Sequence, residues 1–73
     1  MAAVMSPNAP QNELAGMELA EALLSARCRQ FMNRRQVISF GEQAYIRYAA
    51  KGMSEKGDGF RRMCYIIAQQ RGV

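Results

Sequence analysis

The sequence has no histidine, no tryptophan and only two cysteines, and these absences exclude much of the usual catalytic chemistry. Cys28 and Cys64 lie 36 positions apart without a CxxC pair, so the common zinc patterns, which need clustered cysteine and histidine ligands, do not fit. The chain also lacks a nucleophile elbow, a phosphate-binding loop and carboxylate pairs at a useful spacing. We therefore expect no enzymatic activity, no cofactor and no metal.

Long hydrophobic runs are missing as well. The longest, residues 63–68, has six residues, far below the roughly 18 that a membrane span requires. The first residues, MAAVMSPNAP, lack the basic start and apolar stretch of a signal peptide. A chain of 73 residues makes one domain at most. These features predict a cytoplasmic protein without membrane contact.

Acidic residues become scarce after the first third of the chain. Residues 1–26 hold three acids and no base, whereas residues 27–73 hold all ten bases and three acids. Eight of the ten bases are arginine, which favours bidentate contacts with carboxylate or phosphate. The stretch RCRQFMNRR, residues 27–35, contains four arginines and no acid. This asymmetry predicts a polyanionic or acidic partner.

Residues 1–12 contain two prolines and no charged side chain, so we interpret them as a flexible tail before a helical domain over residues 13–73. Asn12 is a suitable N-cap for a first helix that runs to about Met32. Apolar residues at a spacing of three and four predict its buried face. They are Leu14, Met17, Ala20, Leu24, Cys28 and Phe31.

Two further leucines, Leu19 and Leu23, project from nearly the opposite side of that helix. They either pack on another segment or remain exposed for a partner, and they leave dimerisation open although we expect a monomer. Gly16 either permits a close approach to another segment or places the start of the helix later, because glycine is unfavourable inside a helix.

A second helix is predicted from Ser39 to about Lys51. Ser39 and Glu42 have the spacing of a capping box, and Gly52 is a natural stop. Because this helix is apolar on most sides, we expect it to be central.

Residues 54–59, with two glycines, predict a loop before a third helix from about Gly59 to Gln70. Phe60, Met63, Cys64 and Ile67 form the predicted core face of this helix. Both cysteines lie on apolar stripes and should be buried thiols. Three helices with short connections predict an all-α fold, a small three-helix bundle with a flexible N-terminal tail.

A DNA-reading helix-turn-helix is disfavoured, because the predicted connections are longer than the three or four residues of that motif. Binding to another protein and direct contact with nucleic acid through a basic helix face both remain open. The chain resembles the small phage-encoded regulators that bind host RNA polymerase. The likeness lies in length, a tail before a helical domain, arginine-rich character and the lack of catalytic residues, and no motif carries a residue across.

This resemblance implies a protein of the host cytoplasm that binds host RNA polymerase, inhibits initiation and promotes antitermination, with nucleic acid nearby. The candidate partner-binding residues come from the uncharged tail, the first joint and the outer face of the third helix. They are Val4, Met5, Ser6, Arg34, Arg35, Arg61, Arg62 and Tyr65.

Overall fold

The computed structural model describes residues 9–71, which form three α-helices and no strand. The helices are α1 (Ala9–Leu24), α2 (Arg34–Ala50) and α3 (Ser54–Gln70). The predicted all-α three-helix bundle is therefore confirmed. Within this range no helix has the length and apolar character needed to cross a membrane.

The first helix begins earlier than predicted. It starts at Ala9, so residues 9–12 belong to α1 and not to the tail. Pro10 lies in the first turn, where a missing backbone N–H costs nothing. Asn12 is not the N-cap, because its side-chain amide instead donates to Glu55 Oε1 on α3 at 3.0 Å.

The same helix also ends earlier than predicted. α1 stops at Leu24, eight residues before Met32, and the chain then runs through turns. The helical phase is lost there, so Cys28 and Phe31 leave the predicted stripe and are exposed, Phe31 by 80%. Leu14, at the other end of the stripe, is 54% exposed. The predicted burial of these three residues is therefore wrong.

The second helix starts at a different capping box from the one predicted. Asn33 Oδ1 accepts from the Gln36 N–H, and the Asn33 N–H donates to Gln36 Oε1, both at 2.9 Å. Ser39 therefore lies inside α2, and the first joint ends at Asn33. The observed and predicted capping boxes have the same hydrogen-bonding pattern. The amide of Asn33 takes the part expected of the Ser39 hydroxyl, and the amide of Gln36 takes the part expected of the Glu42 carboxylate.

Only residues 51–53 connect α2 and α3, because the predicted loop over residues 54–59 is the first part of α3. Gly52, at φ 75°, makes this turn. This connection of three residues is short enough for a helix-turn-helix, so its length does not argue against that motif. However, Gly41 faces Cys64 and Gly57 faces Tyr48, so the two helices lie side by side and antiparallel, as in an αα-hairpin.

The central helix is α3, not α2 as predicted. It packs against both other helices, which make little contact with each other. Glu13 lies against Gly59 and the Leu24 carbonyl meets Arg71, so α1 runs parallel to α3.

The core lies where the three helices meet. Phe60 is 2% exposed, and its ring centroid lies 5.3 Å from that of Phe40 and 6.1 Å from that of Tyr48. Leu19 and Leu23 pack against this cluster partly buried, as do Met63 and Ile67. The fully buried cluster consists of Ala20, Leu24, Val37, Phe60, Cys64 and Ala68.

Glycines set the distance between α1 and α3. A Cβ atom on Gly16 would lie 2.0 Å from the Lys56 carbonyl oxygen, and one on Gly59 would lie 1.9 Å from the Glu13 carbonyl oxygen. Both obstacles are backbone atoms, which cannot move aside as the end of a side chain can. The two helices therefore touch through their backbones, as the close-approach alternative for Gly16 expects.

Replacing Gly59 with alanine tests this contact. Alanine is the better helix former by about 1 kcal/mol, so propensity alone predicts a more stable protein. We expect the opposite, a net loss of about 2 kcal/mol or more in the free energy of unfolding, because the helices must separate. Urea unfolding followed by circular dichroism measures it.

Gly52→Ala is the control for that experiment. Nothing lies within 4 Å of a Cβ at this position, so only the left-handed backbone opposes the substitution. The expected loss is about 1 kcal/mol. A Gly59→Ala protein as stable as wild type would contradict the backbone contact.

The two cysteines differ in environment. Cys64 is buried, as predicted, and burial raises the pKa of its thiol to about 11. Cys28 is exposed in the turn after α1. Because alkylation requires the thiolate, the two thiols should differ in reactivity.

Iodoacetamide at pH 8.5 should therefore modify the native protein once, at Cys28. Mass spectrometry counts the adducts, and peptide mapping locates them. In 8 M urea both thiols should react, because unfolding returns the thiol to water. Rapid double labelling of the native protein would show that Cys64 is not protected by the core.

Candidate functional site

The outer face of α3 carries three of the predicted site residues, and Arg61 lies at its centre. The Arg61 guanidinium contacts Asp58 Oδ1 at 3.2 Å and Glu42 Oε2 at 3.7 Å. It also stacks on the Tyr45 ring, with 4.0 Å between Cζ and the ring centroid. Arg61 therefore joins α3 to α2, a role that the sequence did not reveal.

The other two residues on this face are also paired. Arg62 contacts Glu13 Oε1 on α1 at 2.7 Å. The Tyr65 hydroxyl donates to Glu42 Oε1, and this hydrogen bond, together with the nearby carboxylate charge, raises the pKa of Tyr65. Both contacts are exposed, so each adds little to stability.

The face thus combines two guanidinium groups with three carboxylates, those of Glu13, Glu42 and Asp58. It is not the free cationic surface expected from the sequence. A polyanion that approached here would meet carboxylates as well as arginines.

A different region concentrates positive charge without acids. α1 and α3 end where α2 begins, and the segments around this end, residues 22–41 and 63–71, contain no Asp or Glu. No ion pair joins its arginines to a carboxylate within residues 9–71. We call this region the basic pole; it consists of Arg27, Arg29, Arg34, Arg35 and Arg71, with Phe31 among them.

Two arginines of the basic pole hold its backbone in place. Arg71 donates to the carbonyl oxygens of Leu24 at 3.1 Å and of Arg29 and Met32 at 2.9 Å. Arg34 Nε donates to the Ala68 carbonyl oxygen at 3.2 Å, near the end of α3. Positive charge at the carboxyl ends of α1 and α3 also complements their helix dipoles.

The remaining residues of the basic pole lie at the surface. The side chains of Arg27 and Arg35 are exposed and form no hydrogen bond or ion pair with any other residue that the structure describes. Arg29 lies over the Phe40 ring at 5.3 Å. Phe31, 80% exposed, is the most exposed large apolar residue of residues 9–71. An aromatic ring among arginines can stack on a flat partner group while the guanidinium groups hold anions.

Arg34 and Arg35 thus lie in the basic pole, whereas Arg61, Arg62 and Tyr65 form a separate, ion-paired face on α3. Val4, Met5 and Ser6 lie outside the described residues. Sequence reasoning missed Phe31, which it assigned to the core, and Arg71, which lies 36 positions from the nearest arginine of RCRQFMNRR. The absence of acids in residues 22–41 is the signal that could have marked this segment as a cationic region.

No protein-family model, no curated protein and no solved structure matches this chain. The geometry of the chain itself is therefore what supports a function.

Arg71→Lys tests the three-carbonyl contact. An ammonium keeps the charge but cannot span three acceptors as a guanidinium does. We expect a loss of about 1–3 kcal/mol in the free energy of unfolding, the range for hydrogen bonds to a charged group. Amide exchange should also quicken in residues 25–32.

Arg35→Lys is the matched control, because Arg35 has no such contacts; its stability should stay within about 0.5 kcal/mol of wild type. Equal effects of the two substitutions on stability and exchange would show that Arg71 does not organise the turn.

Proposed function

We propose that this chain is a small non-enzymatic binding protein whose basic pole binds single-stranded nucleic acid. The observation that carries the proposal is the basic pole itself, five arginines without a carboxylate around the exposed ring of Phe31. Arginine pairs with phosphate through two parallel hydrogen bonds, and an exposed aromatic ring stacks on an unpaired base.

The free donors of the basic pole support contact with phosphate. Arg34 uses only its Nε atom inside the protein, and Arg27 and Arg35 use no donor at all within the described residues. The ion-paired face on α3 offers no comparable set of free donors. Because α2 and α3 form an antiparallel hairpin and Arg61 is held by Asp58 and Glu42, we favour contact with the nucleic-acid backbone over reading of base edges.

A second candidate is binding to host RNA polymerase, with inhibition of initiation and promotion of antitermination, as the resemblance implies. The observation that favours it is again Phe31 among arginines, since aromatic and arginine side chains dominate the binding energy of many protein interfaces. In that case acidic groups of the polymerase take the place of phosphates. The mechanism is occlusion and a shift in conformational equilibrium, without chemistry.

Fluorescence anisotropy with a labelled 12-nucleotide RNA at several salt concentrations tests the first candidate. Four contacted phosphates give a slope of about −3 for log affinity against log salt. Arg27→Gln with Arg35→Gln should weaken binding and reduce the slope by about one or more, because two phosphate contacts are lost. Phe31→Ala should weaken RNA binding by about 1–3 kcal/mol and leave binding to a DNA duplex nearly unchanged.

The control is Arg61→Gln with Arg62→Gln, which removes the same charge from the ion-paired face on α3. This variant should bind RNA like wild type, with circular dichroism confirming its fold. If it loses more affinity than the Arg27 and Arg35 variant, the basic pole is not the site. If RNA does not bind but nuclease-treated lysate yields polymerase subunits that the Phe31→Ala protein fails to retain, the second candidate replaces the first.

A further inference from the structure

A groove runs between α1 and α2, which both pack on α3 but make little contact with each other. It is open, with a volume of about 250 Å³. Its floor is apolar, since each helix contributes at least one apolar or aromatic side chain. These are Leu23 of α1, Phe40, Ala44 and Tyr48 of α2, and Phe60 of α3.

The rim of the groove is cationic. Arg47 and Lys51 line it, and no carboxylate does. The Lys56 ammonium lies 5.4 Å from the centroid of the Tyr48 ring, and the Arg29 guanidinium lies over Phe40. Neither Arg47 nor Lys51 forms an ion pair within residues 9–71.

From this combination we infer that the groove binds an acidic amphipathic helix of a partner protein. Such a helix places apolar residues at i, i+3 or i+4, and i+7 on a groove floor, and its acids reach the rim. The span from Phe40 to Tyr48 is about 12 Å along α2, which matches two turns of a bound helix. Arg47 and Lys51 then meet carboxylates along one edge, and this charge match selects acidic helices over neutral or basic ones.

A second copy of this chain fits the groove less well. Its α1 is acidic and has no base, but Glu13 is held by Arg62, and Leu14 is the one large apolar residue exposed on α1. A single apolar side chain does not cover a floor that has room for three. Nucleic acid fits less well too, because its phosphates gain nothing from the buried floor around Phe60.

The cationic residues that line the groove, Arg47 and Lys51, are not part of the basic pole. Arg47 lies 12 residues beyond Arg35 on α2, about 18 Å along the helix. The two surfaces can therefore be changed independently, and the inference does not depend on the proposed binding of nucleic acid.

The test uses a synthetic 14-residue helical peptide with leucine at one set of positions i, i+3, i+4 and i+7, glutamate at the positions that flank this stripe and alanine elsewhere. Titration into the full chain labelled with ¹⁵N should shift the amide signals of Leu23, Ala44 and Tyr48 and give a measurable affinity by calorimetry. Two control peptides are used, one with lysine in place of glutamate and one with the same composition scrambled. Neither should bind at the groove.

Two variants of the protein locate the contact. Arg47→Gln with Lys51→Gln should weaken the acidic peptide by about tenfold, because two exposed charge contacts are removed. Ala44→Gln places a longer side chain over the floor and should abolish binding while α2 stays helical. Arg27→Gln with Arg35→Gln should bind the peptide like wild type.

Three results would each overturn the inference. The first is the absence of any shift with the acidic peptide, and the second is equal binding of the lysine or scrambled peptide. The third is a set of groove shifts that appears on raising the protein concentration alone, which would assign the groove to a second copy of the chain.

Discussion

The backbone contact between α1 and α3 is the constraint on which the other features of this fold depend. Gly16 and Gly59 each leave no room for a Cβ atom against the opposite helix. The helices therefore lie closer than side-chain packing permits, and Phe60, next to Gly59, enters the core. Because α1 occupies this side of α3 and α2 occupies another, α1 and α2 do not close on each other, and the groove above Phe60 is the result.

The parallel arrangement of α1 and α3 also creates the basic pole. Parallel helices end on the same side, so their carbonyl groups and the negative ends of their dipoles lie together. Arg71 bonds the Leu24 carbonyl, and Arg34 bonds the Ala68 carbonyl. The fold thus requires arginine at this end for stability, and the charge that remains exposed is available to a partner. The side chains of Arg27 and Arg35 make no such contact, so substitutions there can test the proposed binding without disturbing the fold.

The helical class and the core face of α3 were predictable from the sequence, because Phe60, Cys64 and Ile67 repeat at helical spacing. The ends of the helices were not. Neither glycine nor proline marks the end of α1. The turn there is held by Arg71, from the other end of the chain, which donates a hydrogen bond to the Leu24 carbonyl oxygen. The Asn33–Gln36 box and the Ser39–Glu42 pair lie next to each other and have the same spacing. Spacing alone therefore does not show which of the two begins the helix.

The candidate site was predictable only in part, for the same reason. RCRQFMNRR was recognised as basic, but the exposure of Phe31 follows from the early end of α1. The pairing of Arg61 with Glu42 and of Arg62 with Glu13 joins residues from different helices, and no spacing along the chain encodes it.

These ion pairs also determine where the acidic residues of the protein lie. Three of the six acids of the chain are placed on one face of α3, so the basic pole and the groove are both left free of carboxylates. We expect the two surfaces to attract anions by different means. The basic pole has exposed arginines around one ring and should be sensitive to salt, whereas the groove adds an apolar floor that salt does not screen. We therefore expect a polyanion with unpaired bases to prefer the basic pole, and an acidic amphipathic helix to prefer the groove.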